Sequence, residues 1–118
     1  MLKIRLLRSP GSAGEEVLSG FAVEGHAGFG DYGKDIVCAG VSAVAQTALF
    51  GLQDILGGAV RSEMKGGYLE VQVDCLRARE EGPRAVLRAL ELGLRAMERS
   101  YPGAMEICDE ERSGTACC

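Results

Sequence analysis

The chain of 118 residues has a single histidine and no CxxC pair among its five cysteines, Cys38, Cys75, Cys108, Cys117 and Cys118. Zinc-ligand spacing is therefore absent, and no metal or cofactor is expected. Positive charge is also scarce. Thirteen lysines and arginines against seventeen acids leave a net charge of −4 and a pI of ≈ 5.0. That balance argues against nonspecific binding to nucleic acid or to an anionic membrane, and would suit a basic partner. A targeting segment is missing too. In MLKIRLLRSP the apolar residues alternate with lysine and arginine, and the run is too short for a signal peptide or a membrane span. The expectation is a soluble cytoplasmic protein with reduced thiols.

What is present suffices for one domain with its own core, since 47% of residues are hydrophobic. The domain is assigned to residues 1–112, and residues 113–118 read as a disordered tail. Leu2, Ile4 and Leu6 alternate with basic residues, a strand pattern. After the turn at Ser9-Pro10-Gly11-Ser12, Val17, Ser19, Phe21 and Val23 alternate as a second strand. From Ile36 the period changes, and Val37, Val41, Val44, Ala48, Leu52 and Ile55 recur at three and four as on one face of a helix. Asp35 stands where its N-cap belongs and Gly57-Gly58 ends it. Residues 59–64 read as a short strand and Leu69, Val71, Val73 and Cys75 as another, with Cys75 in the core. Gly82-Pro83 opens a second helix that stops before Pro102, and Met105 and Ile107 suggest a last strand with Cys108 on its opposite face. The order ββαββαβ predicts an α+β two-layer domain, a mostly antiparallel sheet with two long helices on one face. The other face needs cover, from a homodimer or from polar residues left in water. Arg84, Arg88, Arg95 and Arg99, interrupted by Glu91 and Glu98, read as a solvated helix face rather than an RNA-binding one.

The chemistry concentrates in residues 25–38, GHAGFGDYGKDIVC. Gly28, Gly30 and Gly33 fit the GxGxxG template of a phosphate-cradling loop, with Asp54 near the usual acidic offset. Asp31 and Asp35, however, put negative charge where phosphate would sit, and a hairpin rather than a βαβ unit surrounds the loop. A second reading starts from the ends of the stretch. With Asp35 as N-cap, Cys38 is the third helical residue. The unpaired N–H groups and the dipole of the helix start favour its thiolate. A glycine-rich loop can bring His26 to that sulfur as base to nucleophile, and the helix-start amides, Cys38's own included, could hold an oxyanion. The plain alternatives are a cysteine packed as a small hydrophobe and a locally satisfied histidine.

Residues 25–44, GHAGFGDYGKDIVCAGVSAV, resemble the signature of the ribosomal-processing cysteine protease family (Prp, or YsxB-like). The match runs through Gly25, His26, Ala27, Gly33, Asp35, Ile36, Val37, Cys38, Ala39 and Ser42. The resemblance implies a cytoplasmic bacterial homodimer that removes a short N-terminal extension from large-subunit ribosomal protein number twenty-seven, cutting after an aromatic-rich sequence. It implies Cys38 as nucleophile, His26 as general base, and a mobile loop at residues 27–34 that orders around the substrate. Asp35 either orients His26 or only caps the helix. Asp31 is a second candidate orienter. Ser42, one turn beyond Cys38, either bonds substrate or His26 or bonds back to its own backbone. The rival function is a noncatalytic ribosome-associated module that binds peptide in the same groove.

Overall fold

The computed structural model describes residues 1–11, 14–25 and 35–112. The strands are β1 (Leu2–Ser9), β2 (Val17–Glu24), β3 (Val60–Lys65), β4 (Tyr68–Val73) and β5 (Met105–Glu111). The helices are α1 (Ile36–Leu56), α2 (Cys75–Ala78) and α3 (Glu81–Ser100). The sheet order is β3-β4-β2-β1-β5, antiparallel except for the parallel pairing of β1 with β5. The expected α+β architecture is therefore present, with one parallel edge and one short helix added.

The core follows from the alternation. Ile4, Leu6, Phe21, Val71 and Val73 are buried and meet Val37, Val41 and Leu52 of α1 and Leu87, Leu90 and Leu94 of α3. Two details depart from the expected pattern. The β1–β2 register shifts between Leu7 and Arg8, so consecutive Val17 and Leu18 are both buried and the simple alternation of β2 breaks. On α1, Ile55 is 46% exposed, whereas Ala45, Leu49 and Leu56 are buried, so the inner face lies slightly rotated from the one expected.

The ends of the helices have local causes. Asp35 caps α1, and Gly57, at φ 56°, closes it by donating its N–H to the Gln53 carbonyl. Pro83 sits in the first turn of α3, where a missing N–H loses no intrahelical bond. Cys75 is buried as expected, but it begins α2 rather than extending β4, because the Asp74 carboxylate accepts the Leu76 N–H at 2.9 Å and starts a helix there. Helices α1 and α3 approach over glycines. A Cβ at Gly40 would stand 2.8 Å from the terminal methyl of Met97.

The sheet face away from the helices is polar. Tyr68 donates to Glu70 at 2.8 Å, and Arg112 donates to the Val73 carbonyl at 2.8 Å, to Ser19 at 2.9 Å and to Gln72 at 3.2 Å. Cys108, whose exposure the alternation left open, is exposed and donates to Glu106. The arginine face of α3 is solvated in part, since Arg84, Arg88 and Arg99 are exposed, but Glu91 and Arg95 depart from that expectation. Glu91 is buried, and it accepts from Arg8 at 2.9 Å, Arg95 at 3.1 Å and Arg88 at 3.3 Å, while Arg8 and Arg95 also reach Asp109. This part of the helix is bolted to β1 and β5 rather than simply solvated. Burial opposes the charged form of Glu91, but the bonds from Arg95 and Arg8 outweigh it and hold the carboxyl below its ordinary range.

Candidate active site

The head of α1 is organised by one carboxylate. Asp35 is buried, and its Oδ1 accepts the N–H groups of Val37 and Cys38, each at 3.0 Å. Asp35 thus caps the helix, and Cys38 is its third residue, as expected. The same bonds bear on the oxyanion expectation: the Val37 and Cys38 amides both serve the cap in this structure. The cap carboxylate lies one hydrogen bond from the Cys38 amide, and when ionised it opposes the help that the helix dipole gives a thiolate.

Cys38 is half-buried and opens onto a groove of ≈ 540 Å³. One wall is the first three turns of α1, where Asp35, Cys38, Ser42 and Gln46 share a face. The other wall is the end of the sheet, with Val23 and Leu69 at its base and Met64 and Tyr68 at the β3–β4 hairpin. Met64 is 57% exposed, because β3 is an edge strand that projects past the helices. Gly25 lies on the rim. Its φ of 90° and a would-be Cβ only 2.8 Å from the Met1 carbonyl oxygen require glycine there, and its N–H donates to Gly67 at 3.0 Å.

Ser42 does not bond back to its backbone carbonyl. Its Oγ takes the Gln46 side-chain amide at 2.7 Å. Gln46, Met64 and Tyr68 were not singled out from the sequence. Gln46 carried a usable signal, a polar residue eight positions past Cys38 on the same helix face; the hairpin residues carried none, because only the fold brings them to the groove. His26, Asp31, Gly28, Gly30, Gly33, Cys117 and Cys118 lie outside the described residues. Among the described residues, no group of three His, Cys, Asp or Glu side chains could hold a metal ion.

The model of the family "Cysteine protease Prp" matches residues 1–106. The chain belongs to the Prp family. It is accordingly a cysteine protease, and the groove with a cysteine at its head is where such chemistry can be housed. Solved structures share the fold. The Streptococcus mutans protein SMU.848 is 25% identical, with 95% of this chain and 96% of that one covered and a TM-score of 0.76. The S. aureus essential ribosomal processing protease Prp, in complex with a covalently linked product peptide, is 22% identical over 91% of this chain and 99% of its own, with a TM-score of 0.70. The same S. aureus Prp with a substrate peptide aligns at 19% identity with a TM-score of 0.69 over the same shares. At those identities the S. aureus structures speak for the fold. No curated protein matches the chain.

Proposed function

We propose that this Prp-family chain is an endopeptidase that uses Cys38 as nucleophile and His26 as general base to remove the N-terminal extension of large-subunit ribosomal protein number twenty-seven, acting as a cytoplasmic homodimer. The observation that carries this reading is the position of Cys38, a half-buried thiol in the first turn of a helix at the head of a peptide-sized groove. Both neighbours of the segment 26–34 support it. Gly25 and Asp35 line the groove, and His26 is the residue directly after Gly25. The chemistry follows. Sγ attacks the scissile carbonyl carbon as His26 takes the thiol proton, and His26 returns that proton to the leaving amine as the C–N bond breaks. Water then attacks the thioester, again through His26, and the new carboxyl terminus departs as the thiolate is restored.

The test uses a peptide copying the precursor's extension, with products weighed by mass spectrometry. Wild type is expected to give two fragments. Cys38→Ala and His26→Ala should each lower the rate by at least about a thousandfold, with the thermal melt of Cys38→Ala little changed. Cleavage that survives Cys38→Ala overturns the assignment. Binding without cleavage by wild type would make the protein a noncatalytic peptide-binding module.

A further inference from the structure

The sheet has two edges, and they differ in charge. Strand β5 carries Glu106, Asp109, Glu110 and Glu111 and no cation, so nothing on it can offset the charges of a second β5. Strand β3 stands at the other edge. Its residues from Arg61 to Lys65 are all exposed, and among the described residues only β4 pairs with it. Gly66 and Gly67 alone join it to β4, with Lys65 opposite Tyr68. The pair that closes a two-residue hairpin exchanges backbone hydrogen bonds, and such pairs alternate along the ladder. Lys65, Glu63 and Arg61 therefore bond to β4, and the N–H and C=O groups of Met64, Ser62 and Val60 point to the open side. The side chains divide as well. Met64 lies opposite Leu69 and both line the groove, whereas Arg61 and Glu63 lie on the polar sheet face, opposite Gln72 and Glu70.

The strand, VRSEMK, is self-complementary in one antiparallel register. A twofold axis normal to the sheet keeps opposed side chains on one face, so the pairing centres on a residue and not between two. Centring on Ser62 or on Glu63 pairs five residues, and any other centre pairs three or fewer. Centring on Glu63 sets that carboxylate against itself and Arg61 against Lys65. Centring on Ser62 sets Arg61 opposite the partner's Glu63, twice by symmetry, at the non-hydrogen-bonded positions where side chains come closest. Arg61 has no ion pair among the described residues, and burial and then the charge of Arg61 lower the pKa of Arg112. A carboxylate opposite Arg61 relieves that repulsion.

We propose that the open edge of β3 is where a second copy of this chain docks, as an antiparallel strand centred on Ser62 that continues the sheet and sets the partner's Val60 beside Met64 on the wall of the groove. This rests on the homodimer of the proposed function and names its interface; it does not depend on which residue attacks the substrate. The twofold pairing closes at two copies. Pairing of β3 with the β5 of another copy would run on into open chains.

The experiment is sedimentation velocity of the full chain over a roughly hundredfold range of concentration. Wild type should form dimers. Arg61→Glu and Glu63→Arg each set like charges opposite one another at both pairs and should weaken the dimer by about tenfold or more. An equimolar mixture of these two variants has both pairs restored and should associate like wild type, and so should the double variant Arg61→Glu/Glu63→Arg. Ser62→Pro removes an N–H from the open side alone and should leave a monomer whose far-UV circular dichroism is that of wild type. Wild-type dimers that neither single variant weakens overturn the β3 interface and leave a homodimer through another surface. Weakened single variants that the mixture does not rescue overturn the register. Species larger than a dimer overturn the closed pairing, and wild type that stays monomeric throughout overturns the homodimer itself.

Discussion

The two long helices lie side by side on one sheet face and are nearly equal in length, yet they handle polarity in opposite ways. Helix α3 is charged from Glu81 to Arg99, and three of its charges are engaged in structure: Glu91 is buried and bonded to Arg8, Arg88 and Arg95, and Arg95 also reaches Asp109. Helix α1 carries one charged residue, Asp54, and is apolar even where it meets solvent, as at Ile36 and Phe50. By length and composition alone it could cross a membrane, but its inner face, Val37, Val41, Ala45, Ala48 and Leu52, forms the core of the domain. Against that background its few polar side chains stand out, and those of the first three turns face the groove. The lesson is that part of a conspicuous arginine run, Arg88 and Arg95, marked architecture, while sparse polar residues on an apolar helix line the groove.

The comparison breaks most sharply at Glu91. If α3 is an anchor, Glu91→Ala leaves Arg88 without this partner and Arg8 and Arg95 with Asp109 alone, and stability should drop by roughly 2 kcal/mol. Urea denaturation measures it. Alkylation of Cys38 in the still-folded fraction should be unchanged, because the groove lies at the other helix. The effect is also pH-dependent. The carboxyl is held below its ordinary range in the folded protein, so its contribution is complete above the unfolded carboxyl pKa of about 4.3 and is lost as pH falls through the lower folded value. The stability gap between wild type and Glu91→Gln should therefore be constant at neutral pH and shrink below about pH 4. A gap that persists unchanged into strong acid would mean that Glu91 acts through packing, not charge.

At the head of α1 the expected effects are smaller and separate two roles. Asp35→Ala removes an N-cap and should cost about 1 kcal/mol. Asp35→Asn keeps an acceptor for the two amides but removes the charge, so its stability loss should be a few tenths of a kcal/mol. If Asp35 acts as a cap alone, removing its charge relieves the repulsion of a thiolate, and iodoacetamide should label Cys38 faster in Asp35→Asn than in wild type at pH 7. Slower labelling would instead assign Asp35 a part in orienting His26.

Much of this was legible from residue order. Alternation located β1, β4 and β5, the period change at Ile36 located α1, and Asp35 and Gly57 marked its ends because caps are local chemistry. The short-range signals failed where partners are distant in sequence. Nothing near Glu91 announces Arg8, eighty-three residues away. The shift in β2 depends on its pairing with β1, and α2 depends on a cap at Asp74 that competes with the strand pattern through Cys75. The site divides in the same way. The helix supplied Asp35, Cys38 and Ser42 at readable intervals, but Met64 and Tyr68 reach the groove only because β3 and β4 fold beside β2. Asp35 was readable as a cap, yet its occupation of the very amides expected for an oxyanion appears only when the bond geometry is known.

The seam between the two helices gives the finest comparison, because its glycines are not equivalent. A Cβ at Gly51 would meet Val86 at 3.9 Å, and one at Gly93 would meet Val44 at 3.9 Å, both ordinary contacts. Each lies in a helix interior, where alanine is favoured over glycine by up to about 1 kcal/mol. Gly51→Ala and Gly93→Ala should therefore each stabilise the protein by roughly 0.5–1 kcal/mol. At Gly40 the same propensity gain is opposed, because the new methyl would sit 2.8 Å from the end of the Met97 side chain and Met97 must move. Gly40→Ala should be close to neutral or mildly destabilising, and Gly40→Ala combined with Met97→Ala should recover the propensity gain relative to Met97→Ala alone. Urea midpoints at constant slope decide it. If Gly51→Ala proves as unfavourable as Gly40→Ala, the helices pack closer along the whole seam. If Gly40→Ala stabilises as much as the others, Met97 yields without cost, and the tight contact beneath the first turns of α1 does nothing to fix the helix that carries Cys38.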